Sequence, residues 1–321
     1  MVVSTSASPV VLNDVRVLSE KYQTNLMVSG RLPRLASTVF QLARGVVWAD
    51  VVVAWFAELP AILCGLPARL LGRKIVVIVG GFETFAGKYS RYGGLRGHSR
   101  RMLTKAALRL ANKIVTVSSS QLAEVSVILP LLRPMVIPNG VDCELFRLGT
   151  GAKVSNSVVT VVHTGSDLHV KGVDRLFKVA RMLPGVTFTL VGLLREELHA
   201  LPERLPTNVL VVPPVNHTTL RDIYQRSWVV CQLSRRESFG LALAEGMACG
   251  CIPVATEQGA MPELAAPIGR IVDGDDAAEN ARAISEALRI GSAEEARRVV
   301  VEHFSLCARR ERLFALLDQI S

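Results

Sequence analysis

Aromatic side chains are scarce in this chain. They make up 5% of its 321 residues, whereas hydrophobic residues of all kinds make up 50%. The apolar content is therefore mostly aliphatic, which suffices for two buried cores and excludes an intrinsically disordered protein. Nucleic acid is disfavoured as a partner, because few aromatics are available to stack on bases and no known nucleic-acid-binding module is apparent.

No long apolar run is present either. The most apolar stretch, residues 49–71, is interrupted by Asp50, Glu58 and Arg69, and a membrane-spanning helix needs ~20 mostly apolar residues. The N-terminus lacks the basic start and long apolar core of a signal peptide. From these two absences we expect a cytoplasmic protein.

Several ligand-binding signatures are missing as well. The 6 cysteines are scattered, and Cys249 and Cys251 lie too close together for a usual zinc pair, so we predict no metal site and a reducing compartment. The chain contains no Gly-x-Gly-x-x-Gly and no Walker-type loop. The sequence therefore lacks the main evidence for a dinucleotide-dependent oxidoreductase or a phosphate-loop ATPase.

Basic charge is concentrated in the first half. Residues 1–150 contain 18 Lys and Arg against 8 Asp and Glu, whereas residues 151–321 contain 19 against 20. The densest segment, residues 88–109, contains seven basic residues and no acidic one: Lys88, Arg91, Arg96, Arg100, Arg101, Lys105 and Arg109. Its later part has helical apolar spacing. It is either a basic helix lying on an anionic membrane or a core-packed helix with a solvated basic face.

Short apolar runs alternate with helical patterns along the whole chain. This alternation predicts an α/β protein with parallel sheets and crossover helices. The turn cluster at residues 138–142 marks a break between two halves. We predict a basic N-terminal domain over 1–145, a second domain over 146–300, and a C-terminal helix over 301–321 that packs back on the first domain.

The passage from Glu237 to Gly250, Glu-Ser-Phe-Gly-Leu-Ala-Leu-Ala-Glu-Gly-Met-Ala-Cys-Gly, contains the strongest chemical pattern. It follows a predicted strand over 228–232, which places Glu237 in a loop and Glu245 in a helix. Backbone N–H groups at 238–241 then form a helix N-terminus, which attracts anions such as a diphosphate. The two carboxylates can accept hydrogen bonds from vicinal sugar hydroxyls. The alternative is a helix that is capped by Ser238 and exposes both acids.

This passage resembles the Glu-x7-Glu motif of the retaining glycosyltransferases of family 4. Three further segments match in the family's order: residues 137–142, the loop 163–166 with 171–174, and residues 257–263. The resemblance covers about residues 135–290. It implies a GT-B fold, with two Rossmann-like domains whose parallel sheets face each other across a cleft. It also implies a nucleotide-sugar donor in the second domain and an acceptor in the first.

The resemblance also implies residue roles. Lys171 and Glu237 would be catalytic: Lys171 would stabilise the leaving diphosphate, and Glu237 would hold hydroxyls of the transferred sugar. Glu245 would bind the ribose, and Val215 would line the base. The remaining donor contacts would come from Gly165, Ser166, Ser238, Phe239, Gly240 and Leu241. No metal or other cofactor is implied.

The implied reaction is transfer of a hexose, with retention, from a UDP- or GDP-sugar to an acceptor hydroxyl. A lipid-linked or other glycan acceptor would be reached in the first domain near Gly81 and Glu83. The basic segment 88–109 would contact an anionic membrane at the inner face of the cell membrane.

The position of Ser166 departs from the family pattern, because an Arg usually follows this glycine and a hydroxyl does not neutralise a phosphate. Either another cation substitutes, with Arg235, Arg236 and His169 nearest in sequence, or activity is reduced. The latter outcome favours a non-catalytic GT-B subunit that binds a nucleotide-sugar or a partner transferase at a membrane. An epimerase or a phosphorylase is a third interpretation.

Overall fold

The computed structural model describes residues 1–29, 35–85, 97–200 and 204–320. The chain divides into two units. The first consists of Met1–Gly140 together with Leu306–Ser321, and the second is Val141–Ser305. The predicted boundaries at 145 and 300 lie near these divisions, and the last helix groups with the first unit.

The first unit is built on a six-stranded sheet whose strand pairings are all parallel. Its order is β2-β1-β3-β4-β5-β6. The strands are β1 (Val2–Ser4), β2 (Leu26–Val28), β3 (Val51–Trp55), β4 (Lys74–Val79), β5 (Lys113–Thr116) and β6 (Met135–Val136). The helices are α1 (Pro9–Ser19), α2 (Leu35–Trp48), α3 (Leu59–Leu70), α4 (His98–Leu110) and α5 (Ser119–Ile128), with α12 (Leu306–Asp318) from the chain end.

The helix α12 is held to the first unit by a buried ion pair. Arg309 donates to both carboxylate oxygens of Asp14, and it also donates to the carbonyls of Ile137 and Pro138 at 2.9 and 2.7 Å. The indole N–H of Trp55 donates to Asp14 at 2.9 Å. Both charges are buried away from water, and the attraction between them offsets the free-energy cost of removing each from water.

The second unit repeats this architecture with strand order β12-β11-β10-β7-β8-β9, again wholly parallel. Its strands are β7 (Ser157–Val161), β8 (Thr187–Val191), β9 (Val209–Val212), β10 (Val229–Gln232), β11 (Ile252–Thr256) and β12 (Arg270–Val272). The helices are α6 (Val173–Met182), α7 (His217–Arg226), α8 (Leu241–Ala248), α9 (Met261–Ala265), α10 (Ala277–Ala287) and α11 (Ala293–His303).

Runs of buried aliphatic residues explain the central strands. Strand β4 reads Lys-Ile-Val-Val-Ile-Val and buries every residue after the first, and β11 buries all of its residues. Strands covered by helices on both faces need such continuous runs, because neither face meets water.

Each sheet has one point at which the strand order reverses. In the first unit it lies between β1 and β3, and in the second between β7 and β10. The connections that leave these two neighbouring strands run to opposite sides, which opens a crevice at the carboxyl edge of the sheet, where ligands bind in open α/β sheets. Among the described residues, no helix is both long and apolar enough to cross a membrane.

Candidate functional site

The side chain of Glu237 is the centre of a polar cluster at the β7–β10 crevice. Its Oε1 atom accepts hydrogen bonds from Lys171 Nζ at 2.7 Å, Gln232 Nε2 at 2.6 Å and Ser234 Oγ at 3.2 Å. The Glu237 side chain is 11% exposed and that of Lys171 is 24% exposed. The two predicted catalytic residues, 66 positions apart in the chain, are therefore in direct contact.

The loop before α6 places Lys171 in this cluster. Asp167 accepts hydrogen bonds from the backbone N–H groups of His169 and Val170, both at 3.1 Å, which fixes a tight turn. Gly172 follows with φ +72°, and a Cβ there would lie 2.0 Å from the carbonyl oxygen of Leu233. Only glycine fits so close an approach, which brings the Lys171 loop against the loop after β10.

Arg235 joins the same two loops. Its guanidinium makes a two-point contact with Asp174, with both distances 2.8 Å, and donates to the carbonyl of His169 at 2.6 Å. Burial alone would raise the pKa of Asp174, but the hydrogen bonds and the charge of Arg235 outweigh it and lower that pKa. Arg235, considered above as a substitute phosphate cation, is thus committed to positioning Lys171.

The segment 257–263 supports Glu237 from the other side. Gly259 has φ +65°, and a Cβ there would lie 2.0 Å from the carbonyl oxygen of Glu237. That carbonyl also accepts from the N–H of Ala260 at 3.2 Å. The glycine in this motif is therefore required by the close passage of the Glu237 backbone.

Helix α8 begins later than the sequence predicted. Leu241 is its first residue and Gly240 is its N-cap, so Ser238 and Phe239 precede the helix. Phe239 is 4% exposed and its ring packs on Phe304 at 5.8 Å between centroids, which makes its side chain a core residue. The first-turn N–H groups from Leu241 onward lack intrahelical partners and form the anion-attracting end.

Glu245 lies in α8 and is 8% exposed. Burial raises the pKa of its carboxyl to about 8. Together with the contacts of Glu237, this excludes the alternative helix that exposes both acids. Such a carboxyl is mostly neutral at pH 7 when no ligand is bound. A ligand with two neighbouring hydroxyl groups can donate hydrogen bonds to it, and these bonds favour the ionised form.

The loop after β7 contains a contact that sequence reasoning missed. The N–H of Gly165 donates to Glu197 Oε1 at 2.8 Å, and the hydroxyl of Thr164 donates to Glu197 Oε2 at 2.9 Å. Ser166 is half-buried beside them. Val215 lies after β9, further along the same edge of the sheet. In the sequence, Glu197 belongs to a short acidic stretch in the 3₁₀ helix Arg195–Ala200. That stretch does not indicate that Glu197 contacts Thr164, which lies 33 residues earlier.

The first unit uses its predicted site residues differently. Glu83 is 3% exposed, and its carboxylate accepts from the backbone N–H groups of Ala57 at 3.3 Å, Gly80 at 2.8 Å and Gly81 at 2.9 Å. It therefore holds the ends of β3 and β4 together. Glu83 also lines a cavity at this edge of the sheet, so the expectation that Glu83 and Gly81 contact an acceptor stays a prediction.

A cavity of 260 Å³ lies at the carboxyl edge of the first sheet, close to its reversal point. Its walls include Thr5, Glu58, Phe82 and Arg100. Much of the basic segment 88–109 follows in α4, while its part from 88 to 96 lies outside the described residues. In α4, Thr104, Ala107 and Leu108 are buried.

The exposed surface of α4 combines charge with apolar side chains. Arg100 and Arg101 are exposed, and beside them Met102 is 52% and Leu103 is 39% exposed. The helix is therefore packed on the core by one face and presents a basic and apolar face to solvent. Met102 and Leu103, predicted to share one apolar face with Ala107, lie instead on the solvent side.

Part of the second unit is similar in sequence to known proteins. Residues 154–302 match the sequence model described as "Glycosyl transferases group 1". A D-inositol 3-phosphate glycosyltransferase of Mycobacterium bovis is 30% identical over 174 residues, and a phosphatidylinositol N-acetylglucosaminyltransferase component of Arabidopsis thaliana is 28% identical over 167 residues. Each alignment covers 48% of this chain and 36% of the relative, so the match spans about a third of these relatives' length.

The whole chain resembles solved structures. A crystal structure of Anabaena Alr3699/HepE in complex with UDP aligns with a TM-score of 0.78 over 99% of both chains, at 16% identity. At that identity the likeness shows the fold, which is the GT-B fold expected from the sequence. The chain therefore has a GT-B fold, and residues 154–302 of its second unit are similar to the group 1 glycosyl transferases.

Proposed function

We propose that this protein is a metal-independent, retaining glycosyltransferase that moves a hexose from a UDP- or GDP-sugar to an acceptor hydroxyl. The observation that carries the proposal is the Lys171–Glu237 contact at the β7–β10 crevice. It places a cation and a carboxylate together, next to the N-terminus of α8, at the edge of the sheet where nucleotides bind in open α/β folds. A similar fold is known in complex with UDP.

The ammonium of Lys171 supplies positive charge where the diphosphate departs. As the bond from the anomeric carbon to the diphosphate breaks, the electron pair moves to the leaving oxygen, and a cation already in position stabilises it. The first-turn N–H groups of α8 add partial positive charge. The acceptor oxygen bonds to the same face of the anomeric carbon and passes its proton to the departing diphosphate.

Glu237 holds the transferred sugar. Lys171, Gln232 and Ser234 all donate to Oε1, which fixes the carboxylate and leaves Oε2 to accept from sugar hydroxyls. Glu245, buried further along α8, takes the ribose hydroxyls, and the loop containing Val215 lines the base. Gln232 and Ser234 are additions to the predicted set, and each acts by orienting Glu237.

The first unit supplies the acceptor site in this proposal. The 260 Å³ cavity is lined by apolar side chains and by polar ones, which suits an amphipathic acceptor such as a lipid-linked glycan. The polar lining residues are Thr5, Glu58, Glu83, Arg100 and Thr104. The exposed face of α4 contacts an anionic bilayer, so the protein works at the inner face of the cell membrane. Sedimentation with phosphatidylglycerol vesicles and not with phosphatidylcholine vesicles, reduced by Arg100→Glu with Arg101→Glu, is the expected result.

Turnover tests the proposal directly. The purified chain is incubated with UDP-, GDP- and ADP-sugars, in EDTA, with and without anionic lipid extract, and release of nucleoside diphosphate is measured. Release in EDTA from one class of donor, abolished by Glu237→Ala, is expected. The configuration of the product, read from the anomeric coupling in its proton spectrum, decides retention.

A non-catalytic role is the second candidate, favoured by the charge around Gly165. Ser166 brings no cation to this loop, and the carboxylate of Glu197 contacts it instead. Measurable nucleotide binding without turnover of any donor would favour a subunit that binds a nucleotide-sugar or a partner transferase.

A further inference from the structure

The carboxylate of Glu197 occupies the donors of the Gly165 loop. Gly165 N–H contacts Oε1 at 2.8 Å, while the Thr164 hydroxyl and the N–H of Leu194 contact Oε2 at 2.9 and 2.8 Å. Two of these three donors belong to the loop after β7. Glu197 lies in a 3₁₀ helix, Arg195–Ala200, in the connection that follows β8.

The position of this contact makes it relevant to nucleotide binding. Strands β7 and β8 are hydrogen-bonded neighbours, so their following loops are adjacent at the carboxyl edge. The same β7 connection continues into Lys171. A phosphate oxygen bound at this end of the crevice would compete for the Gly165 N–H and the Thr164 hydroxyl, which are the groups that donate to Glu197.

The carboxyl of Glu197 is ionised at neutral pH, because its pKa is lowered from its ordinary value. Hydrogen bonds from the N–H groups of Gly165 and Leu194 lower the pKa of Glu197, and His163 lowers it further. An ionised carboxylate and a phosphate repel each other at the few ångströms that shared donors would impose. Ser166, the neighbour of Gly165, has no charge with which to offset that repulsion.

We propose that Glu197 is an internal competitor of the donor diphosphate, and that its carboxylate must leave the Gly165 loop before a nucleoside diphosphate binds. The inference rests on the proposed function, because it assumes that the diphosphate lies at this loop. Glu197 thereby sets the affinity for the donor: molecules in which the contact is closed do not bind. If the contact is closed in about nine of ten molecules, the apparent Kd is about tenfold above its intrinsic value.

The chain offers a matched control. Glu196 precedes Glu197 in the same 3₁₀ helix and is exposed to solvent. Glu196→Gln and Glu197→Gln remove the same charge from almost the same place. Only the second weakens the contact, because an amide has one oxygen that accepts where the carboxylate used two. Any difference between them is due to the contact and not to net charge.

Titration calorimetry with UDP and, separately, with GDP is the binding test. Glu197→Gln is expected to lower the Kd about tenfold, with Glu196→Gln within twofold of the unchanged protein. Amide hydrogen exchange without nucleotide is the second measurement: exchange at Gly165 should speed up in Glu197→Gln and stay unchanged in Glu196→Gln.

The outcomes separate the two proposals. If the unchanged protein binds UDP or GDP and Glu197→Gln binds it no more tightly, or if both variants gain affinity equally, the competitor role is wrong and the proposed function stands. If no nucleotide binds to any of the three proteins, the proposed function and the inference both fall, even where exchange at Gly165 responds. Binding that is detectable only in Glu197→Gln would be the strongest support.

Discussion

Two glutamates, one in each unit, show how the same residue type after a strand of a six-stranded parallel sheet has two different roles. Glu83 follows β4 and Glu237 follows β10, and both strands lie inside a six-stranded parallel sheet. Glu83 accepts three backbone N–H groups, whereas Glu237 accepts from the side chains of Lys171, Gln232 and Ser234.

The type of donor decides the role. Backbone N–H groups are fixed by the fold, so a carboxylate that accepts hydrogen bonds from them holds the loops in place. Side chains such as Lys171 can turn towards a ligand, so the carboxylate that they surround is poised to share them. Glu83 therefore stabilises the loops of the first unit, whereas Glu237 lies with its side-chain donors at the crevice of the second.

The largest effect on stability is expected at the buried pair of the first unit. Arg309→Met removes the cation that pairs with the buried carboxyl of Asp14, which should cost about 3–5 kcal/mol of unfolding free energy. The control is Arg310→Met, whose contact with Glu20 is exposed and worth at most about 1 kcal/mol. Urea denaturation measures both, and equal losses would mean that the buried pair contributes no more than a surface one.

At the second unit, Glu237→Gln should act on turnover and leave stability nearly unchanged. The amide keeps the shape but loses the charge that Lys171 and the sugar hydroxyls use, so kcat should fall roughly 10²-fold or more. Glu286→Gln, at an exposed acid paired with Arg270, is the charge-matched control. A stability loss as large as that of Arg309→Met would place Glu237 among the structural acids.

Glu83→Gln should lower stability and leave nucleotide binding unchanged. The new amide group faces a backbone N–H where an acceptor is required, which should cost about 1–3 kcal/mol of unfolding free energy. The Kd for nucleotide should stay the same, because the donor site lies in the other unit. Glu58→Gln nearby is the control. A changed nucleotide affinity in Glu83→Gln, with none in Glu58→Gln, would contradict the purely structural role of Glu83.

A further effect concerns the pH dependence of nucleotide binding. Glu245 has a pKa of about 8 in the free protein, and ribose hydroxyls that donate to its carboxylate favour ionisation, so nucleotide binding should release a proton below pH 8. The affinity should therefore rise by up to about tenfold per pH unit from about pH 6 to 8 and level off above. Calorimetry in buffers of different ionisation enthalpy measures the proton, and Glu245→Gln should abolish its release.

The parts of the site that the sequence predicted are those encoded locally. Glu237, Glu245 and the start of α8 lie in one continuous passage whose spacing determines their placement on a loop and a helix. Gly172 and Gly259 belong to recognisable motifs, although the reason for each glycine, a backbone passing 2.0 Å from where its Cβ would lie, required the structure.

The parts that escaped prediction depend on contacts between distant residues. Asp14 and Arg309 are 295 positions apart, and each alone reads as a surface charge. Glu197 reads as a solvated acid, and Arg235 as a free cation beside the motif. Sequence spacing shows which side chains share an element, but it does not show which loops meet at the edge of a sheet.

The most direct test of the central claim, that the Lys171–Glu237 cluster binds a nucleotide diphosphate, is the affinity of Lys171→Met for UDP by calorimetry. Loss of one charged contact should weaken binding about 10- to 100-fold. Lys178→Met, at an exposed lysine of the following helix α6, should leave it unchanged. Equal affinity of the unchanged protein and Lys171→Met would contradict the account, because it would mean that the nucleotide binds elsewhere.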